Sequence, residues 1–110
     1  ILLEKRHSKG LLANMWQFPM VELPTPTHTV EEVVELDYGI EIQKGKELLA
    51  FKHVFSHLVW EIETFEAMLT NEKKLSLNNQ WHSIEEVNNQ PMPIPVLKIW
   101  NAWKERKNIT

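Results

Sequence analysis

A chain of 110 residues corresponds to about one domain, since domains usually have roughly 100–200 residues. Hydrophobic residues make up 43% of it, including five tryptophans and four phenylalanines, which is enough for a buried core and excludes a disordered tail. The net charge of −3 argues against a general polyanion-binding protein. The absence of cysteine excludes disulfides, Cys-type zinc sites, a thiol nucleophile and a Cys-ligated iron–sulfur cluster within these residues.

The sequence carries no targeting or membrane signal. Its longest apolar run is only a few residues, too short to span a bilayer. No Met begins the chain and no signal peptide is visible, so we expect an excised domain of an intracellular protein. Residues 31–47 are acidic, whereas basic residues cluster at the two ends: Lys5, Arg6, Lys9, Lys98, Lys104, Arg106 and Lys107. If both ends share a face, that face could meet a phosphate backbone; the alternative is a basic rim that keeps the domain soluble.

The first third of the chain predicts a strand, a loop and a helix. Residues 1–6 have a strand pattern, and Pro19 ends any regular element at Phe18. Prolines and threonines in residues 23–29 indicate an extended surface loop. Thr29 is a suitable N-cap and Gly39 a suitable stop. The apolar positions between them follow helical spacing: Val30, Val33, Val34 and Tyr38.

The middle of the chain predicts an antiparallel hairpin. Residues 48–55 and 58–68 have the alternation of strands, and only Ser56 and His57 separate them. The same-side positions are Leu49, Phe51, His53 and Phe55 on the first strand and Leu58, Trp60 and Ile62 on the second. The turn contains no Gly or Asn, so it lacks the residues that the favoured hairpin turns prefer.

The last third predicts a short strand or turn that begins at Trp81, a rigid segment of prolines at 91–95, and a C-terminal helix. The predicted buried stripe of that helix is Val96, Leu97, Ile99, Trp100 and Trp103. This order of elements predicts an α+β or α/β sandwich with one small mixed sheet and two main helices.

Two segments resemble a Nudix domain. Residues 10–19 read GLLANMWQFP and precede a helix that ends in Tyr38-Gly39-Ile40, as a G…W-x-F-P segment precedes the Nudix catalytic helix R-E-U-x-E-E-x-G-U, where U is aliphatic. The resemblance implies a Nudix-like α/β/α sandwich. On this alignment the first Glu of the pattern falls on Val33 and the central pair on Leu36 and Asp37. One remaining carboxylate is too few for a Mg²⁺ site, so we expect no catalysis and no cofactor in this domain.

A third segment indicates which family of proteins with a Nudix-like domain the sequence resembles. Residues 53–58 read HVFSHL, which is similar to the H-x-F-S-H-L segment in the C-terminal domain of adenine DNA glycosylases of the MutY family. Residues 10–19, Trp81 and the proline segment also fit that domain. The resemblance implies that residues 1–110 are one C-terminal domain. It also implies that a helix-hairpin-helix catalytic domain with an iron–sulfur cluster belongs to the same parent, and that the two domains contact each other.

The same resemblance implies a function in base-excision repair. The parent would remove adenine paired with 8-oxoguanine in double-stranded DNA, and Phe55, Ser56 and His57 would read the lesion. We therefore expect a cytoplasmic protein, in bacteria associated with the nucleoid through DNA, without membrane contact. Lys5, Arg6 and Lys9 are candidate phosphate contacts, with solvated surface as the alternative.

The residue types at the hairpin tip suit this task, although each has a simpler explanation. 8-Oxoguanine has a carbonyl at C8 and a hydrogen on N7, and a Ser hydroxyl can donate to the carbonyl oxygen O8 or accept from N7–H. Ser56 could instead be a turn residue that bonds its own backbone. Phe55 could wedge beside a base or pack in the core, and His57 could contact a base or phosphate or merely cap the hairpin.

Two other functions are compatible with parts of the sequence. One is a Mg²⁺-dependent Nudix hydrolase of nucleoside diphosphate derivatives, against which the residues at Val33 and Leu36 speak. The other is a Nudix-like domain used only for protein–protein contact. We favour the lesion-recognition domain of an adenine glycosylase.

Overall fold

The computed structural model describes residues 1–6, 8, 12–22, 28–75 and 78–109. The elements follow in chain order: β1 Leu2–Lys5, β2 Trp16–Gln17, α1 Val30–Tyr38, β3 Ile40–Val54, β4 Val59–Glu72, β5 Asn79–Trp81, α2 Ile84–Asn88 and α3 Ile94–Arg106. The α+β class is confirmed, but the strands of the described residues form two antiparallel sheets instead of one mixed sheet. One sheet has the order β2-β1-β5, and the other is the β3-β4 hairpin.

The central strand β1 separates two hydrophobic clusters because successive side chains of a strand point to opposite faces. On one face Leu2 packs with residues of α1 and the start of β3: Val34, Tyr38 and Ile40. On the other face Leu3 packs with residues of α2, α3 and the segment between them: Val87, Met92, Val96 and Trp100. The three-stranded sheet therefore lies between helices, as expected for an α/β/α sandwich.

Helix α1 has the predicted start and end. The Thr29 side chain accepts a hydrogen bond from the Glu32 amide at 3.2 Å, which satisfies one of the free donors of the first turn. Gly39 ends the helix with a φ of 70°, and a Cβ atom there would lie 1.7 Å from the carbonyl oxygen of Lys74. Only glycine fits both this left-handed conformation and this close approach.

The predicted hairpin is confirmed and is longer than expected. Its strands pair from Ile40 opposite Glu72 to Val54 opposite Val59, with irregular register around residues 44–49. The predicted short strand is also present, as β5, paired with β1, but Trp81 is its last residue instead of its first.

Helix α3 confirms the predicted C-terminal helix, with one error in its buried stripe. Val96, Ile99 and Trp100 are buried, whereas Leu97 is 39% exposed. The Trp100 indole donates to Asn88 Oδ1 at 2.7 Å, which joins α3 to the short helix α2. None of the helices in the described ranges is long and apolar enough to cross a membrane.

Candidate nucleic-acid interface

The β3-β4 hairpin ends in a closed two-residue tip. The Phe55 amide donates to the Leu58 carbonyl at 2.7 Å, and the Leu58 amide donates back to the Phe55 carbonyl at 3.4 Å. Neither Ser56 nor His57 has a positive φ, so the turn is not one of the primed types that hairpins favour. Both residues are exposed, and within the described ranges neither side chain has a hydrogen-bond partner. The tip thus presents a hydroxyl and an imidazole to solvent.

An aromatic row on one face of the hairpin supports this tip. The Phe55 ring lies edge-on to His53, with centroids 4.6 Å apart, and edge-on to Trp60, with centroids 4.9 Å apart. His53 and Trp60 are also opposite each other in the strand register. Phe55 is half-buried, so it is neither a free wedge nor a residue of the main core. Its ring is held by its two neighbours.

Two cationic side chains lie over aromatic rings on this same face of the hairpin. The Arg6 guanidinium lies over the Trp60 ring at 5.4 Å, and the Lys98 ammonium from α3 lies over the Phe51 ring at 4.5 Å. Phe51 is on the face of His53 because the two are separated by two positions on β3. A basic, aromatic surface of this kind suits contact with nucleobases and phosphates.

The opposite face of the hairpin near the tip is open to solvent. Val54 is 70% exposed and Val59 is 52% exposed. Next to them, Lys52 and Glu61 form an exposed ion pair at 3.3 Å. This face therefore offers apolar side chains and a balanced pair of charges, whereas the aromatic face carries the positive charge.

The three candidate phosphate contacts have different surroundings. Lys5 is exposed at the end of β1. Arg6 is half-buried and donates to Gln17 Oε1 at 2.7 Å in addition to stacking on Trp60. Lys9 lies outside the described residues. The stacking of Arg6 on Trp60 could not be predicted from the sequence, because the two residues are 54 positions apart.

The helix that carries the Nudix pattern lacks the geometry of a magnesium site. Val33, in place of the first glutamate of the pattern, is buried, and Leu36, in place of the next, is 82% exposed. No group of three or more His, Asp or Glu side chains in the described parts of the chain could hold a metal ion. The residues that are present therefore do not fit the Mg²⁺ of Nudix hydrolases.

Carboxylates beside this helix are paired with a lysine instead. The Lys73 ammonium contacts Glu35 of α1, and it also contacts Glu41 of β3 at 2.8 Å. The hydrogen bond from Lys73 lowers the pKa of Glu41, and the bonds to both glutamates raise the pKa of Lys73. The ammonium links α1 to the base of the hairpin.

The chain belongs to the NUDIX domain family, whose model matches residues 1–102. It is similar to an adenine DNA glycosylase of Rattus norvegicus, with 26% identity over 118 residues. That match covers 100% of this chain and 23% of the rat protein, so the chain spans about a quarter of its relative's length.

The fold has a counterpart among solved structures. In the crystal structure of the complex between the C-terminal domain of mouse MUTYH and human PCNA, the superposition has a TM-score of 0.59 at 19% identity. It covers 99% of this chain and 78% of the matched one. This superposition confirms the predicted Nudix-like fold, and the similarity to the rat protein confirms the resemblance to an adenine DNA glycosylase.

Proposed function

We propose that this chain is the Nudix-like domain of a base-excision repair enzyme that removes adenine paired with 8-oxoguanine, and that its hairpin tip recognises the lesion. The proposal is supported by a match to an adenine DNA glycosylase along the whole chain. The lesion-reading role is supported by the exposure of the two residues at the hairpin tip. Ser56 and His57 are exposed there, at the end of a hairpin whose aromatic face is basic.

The Ser56 hydroxyl suits the chemistry that distinguishes 8-oxoguanine from guanine. Oxidation converts the N7 acceptor into an N–H donor and adds an acceptor at O8. A hydroxyl can accept from N7–H or donate to O8, whichever orientation the bound base presents. The His57 imidazole can add a donor to a base edge or a phosphate.

Phe55 has a supporting role in this proposal. Its ring packs against His53 and Trp60, so it holds the backbone from which Ser56 projects. Leu58, which is 47% exposed, is the apolar side chain at the tip that is available to a base. In this proposal the exposed Lys5 side chain contacts a phosphate of the DNA backbone.

Chemistry on the adenine belongs to another part of the parent protein in this proposal. The chain contains no cysteine for an iron–sulfur cluster, and Val33 and Leu36 replace the carboxylates that Nudix hydrolysis needs. The domain would assist by contacting the lesion strand and its own catalytic domain, which offsets the few kcal/mol that base flipping costs. In the cell, the protein would be located on chromosomal DNA, which in bacteria means the nucleoid in the cytoplasm.

Single-turnover adenine release by the full-length protein tests this function. We expect Ser56→Ala to reduce the preference for 8-oxoguanine·adenine over guanine·adenine duplexes by about 5- to 150-fold, since one base contact contributes about 1–3 kcal/mol of discrimination. Thr70→Ala is a matched control, because it removes an exposed hydroxyl from the base of the same hairpin. An unchanged preference in Ser56→Ala would exclude the lesion-reading role of the tip.

A further inference from the structure

The hairpin that carries the reading tip forms a sheet of its own. Its two strands share no backbone pairing with β1, β2 or β5. Two-stranded hairpins are marginally stable alone, so side-chain contacts must set the direction of the tip relative to the rest of the domain. On the aromatic face, two cation–ring contacts join the hairpin to the rest of the domain. Lys98 lies over Phe51, and Arg6 lies over Trp60, which is nearer the tip.

Arg6 is itself held by a polar chain that leads into the core. Its guanidinium donates to Oε1 of the buried Gln17, and the Gln17 amide donates to Glu4 Oε2 at 3.3 Å. The Tyr38 hydroxyl lies 2.6 Å from the same Glu4 oxygen and accepts from the Met20 amide at 2.8 Å. These hydrogen bonds connect β1, β2 and α1.

We infer that Arg6 is a positioning residue for the lesion-reading tip: it fixes Trp60, which packs on Phe55, which precedes Ser56. The inference rests on the proposed function and assigns Arg6 a task other than phosphate contact. Two features of the side chain favour it. Arg6 is half-buried, and its guanidinium already donates a hydrogen bond to Gln17. A planar guanidinium can stack on an indole while it donates to an amide, which the ammonium of lysine does less well.

The two tasks predict different results for Arg6→Lys, which keeps the charge. If Arg6 contacts phosphate, this variant retains most binding, and Arg6→Ala weakens binding to all duplexes equally and reduces the salt dependence by about one phosphate contact. If Arg6 positions the tip, Arg6→Lys lowers the preference for 8-oxoguanine about fivefold or more while the salt dependence of binding is unchanged.

The experiment measures single-turnover adenine release on both duplexes, and the salt dependence of DNA binding, for the full-length protein and its variants. Lys5→Ala is the comparison for loss of a phosphate contact, because it removes an exposed charge next to Arg6 and breaks no stacking contact: we expect it to weaken binding to both duplexes equally, to reduce the salt dependence, and to leave the lesion preference unchanged. We expect Arg6→Lys and Trp60→Leu to lose lesion preference, and Trp60→Phe, which keeps an aromatic face, to retain most of it. A wild-type preference in Arg6→Lys, or an equal loss on both duplexes, would overturn the inference.

A second measurement is independent of the proposed function. The Phe55 ring lies edge-on to two other rings within 5 Å, so its proton resonances are displaced by ring currents. In Arg6→Lys these displacements should decrease, and in Lys5→Ala they should not. If they stay unchanged in Arg6→Lys, the positioning role is wrong whatever the function. If they decrease while Ser56→Ala keeps its preference, Arg6 positions the tip and the lesion-reading function is the part that fails.

Discussion

Replacing Phe55 by alanine should loosen the hairpin tip before any DNA is bound. The ring makes two edge-to-face contacts, with His53 and with Trp60. Each contact of this kind contributes about 0.5–1.5 kcal/mol, so the loss of both removes about 1–3 kcal/mol from the closed conformation. This free energy corresponds to an increase of about 5- to 150-fold in the opening equilibrium of the tip.

Hydrogen exchange of the backbone amides measures this opening directly. We expect amides of residues 54–60 to exchange faster in Phe55→Ala by about the same factor, because local opening governs their exchange. Phe65→Ala is the control. Its ring contacts Lys44 at 3.9 Å, toward the other end of the hairpin, and its removal should leave exchange at the tip unchanged.

Phe55→Ala should also affect DNA recognition. A looser tip should reduce the preference for 8-oxoguanine·adenine even though Ser56 is still present. Unchanged exchange at residues 54–60 in Phe55→Ala would refute the argument that the aromatic row holds the tip. The same would be true if Phe65→Ala accelerated exchange at the tip equally.

Two further predictions concern stability. Burial raises the pKa of the Tyr38 phenol, so the hydroxyl stays protonated and donates to Glu4. Tyr38→Phe should therefore lower the free energy of unfolding by about 1–3 kcal/mol, measured in urea titrations followed by tryptophan fluorescence. An unchanged free energy of unfolding would show that the hydrogen bonds of this hydroxyl do not stabilise the fold. The pKa of Glu41 is lowered by its hydrogen bond from Lys73, so its contribution to stability is present above the unfolded value of 4.5 and is lost as the pH falls below it. Unfolding measured from pH 7 to pH 3 should show a smaller acid-induced loss in Glu41→Gln, and an identical loss in both proteins would contradict this assignment.

Local signals in the sequence were enough to predict the longer elements. Helix α1 is bounded by Thr29 and Gly39, whose roles depend only on adjacent backbone groups and on the left-handed conformation that glycine adopts at little cost. The hairpin was predicted from alternation and a two-residue gap, although its strands extend further than the predicted ones. Helix α2 was not predicted, although Ser83 and Glu86 form a capping box at its start. Its five residues are too few for a helical pattern to be visible.

The class of fold, the position of the hairpin tip and the absence of the Nudix carboxylates can therefore be predicted from the amino-acid sequence, because each depends on residue type or on neighbours along the chain. Two features become visible only in the folded molecule: the division of the strands into two sheets, and the contact of Arg6 with Trp60, 54 positions away. Contacts between distant segments depend on how the elements pack, and no periodicity or short motif encodes that packing. The contact of Arg6 with Trp60, which we infer positions the hairpin tip, is of this kind.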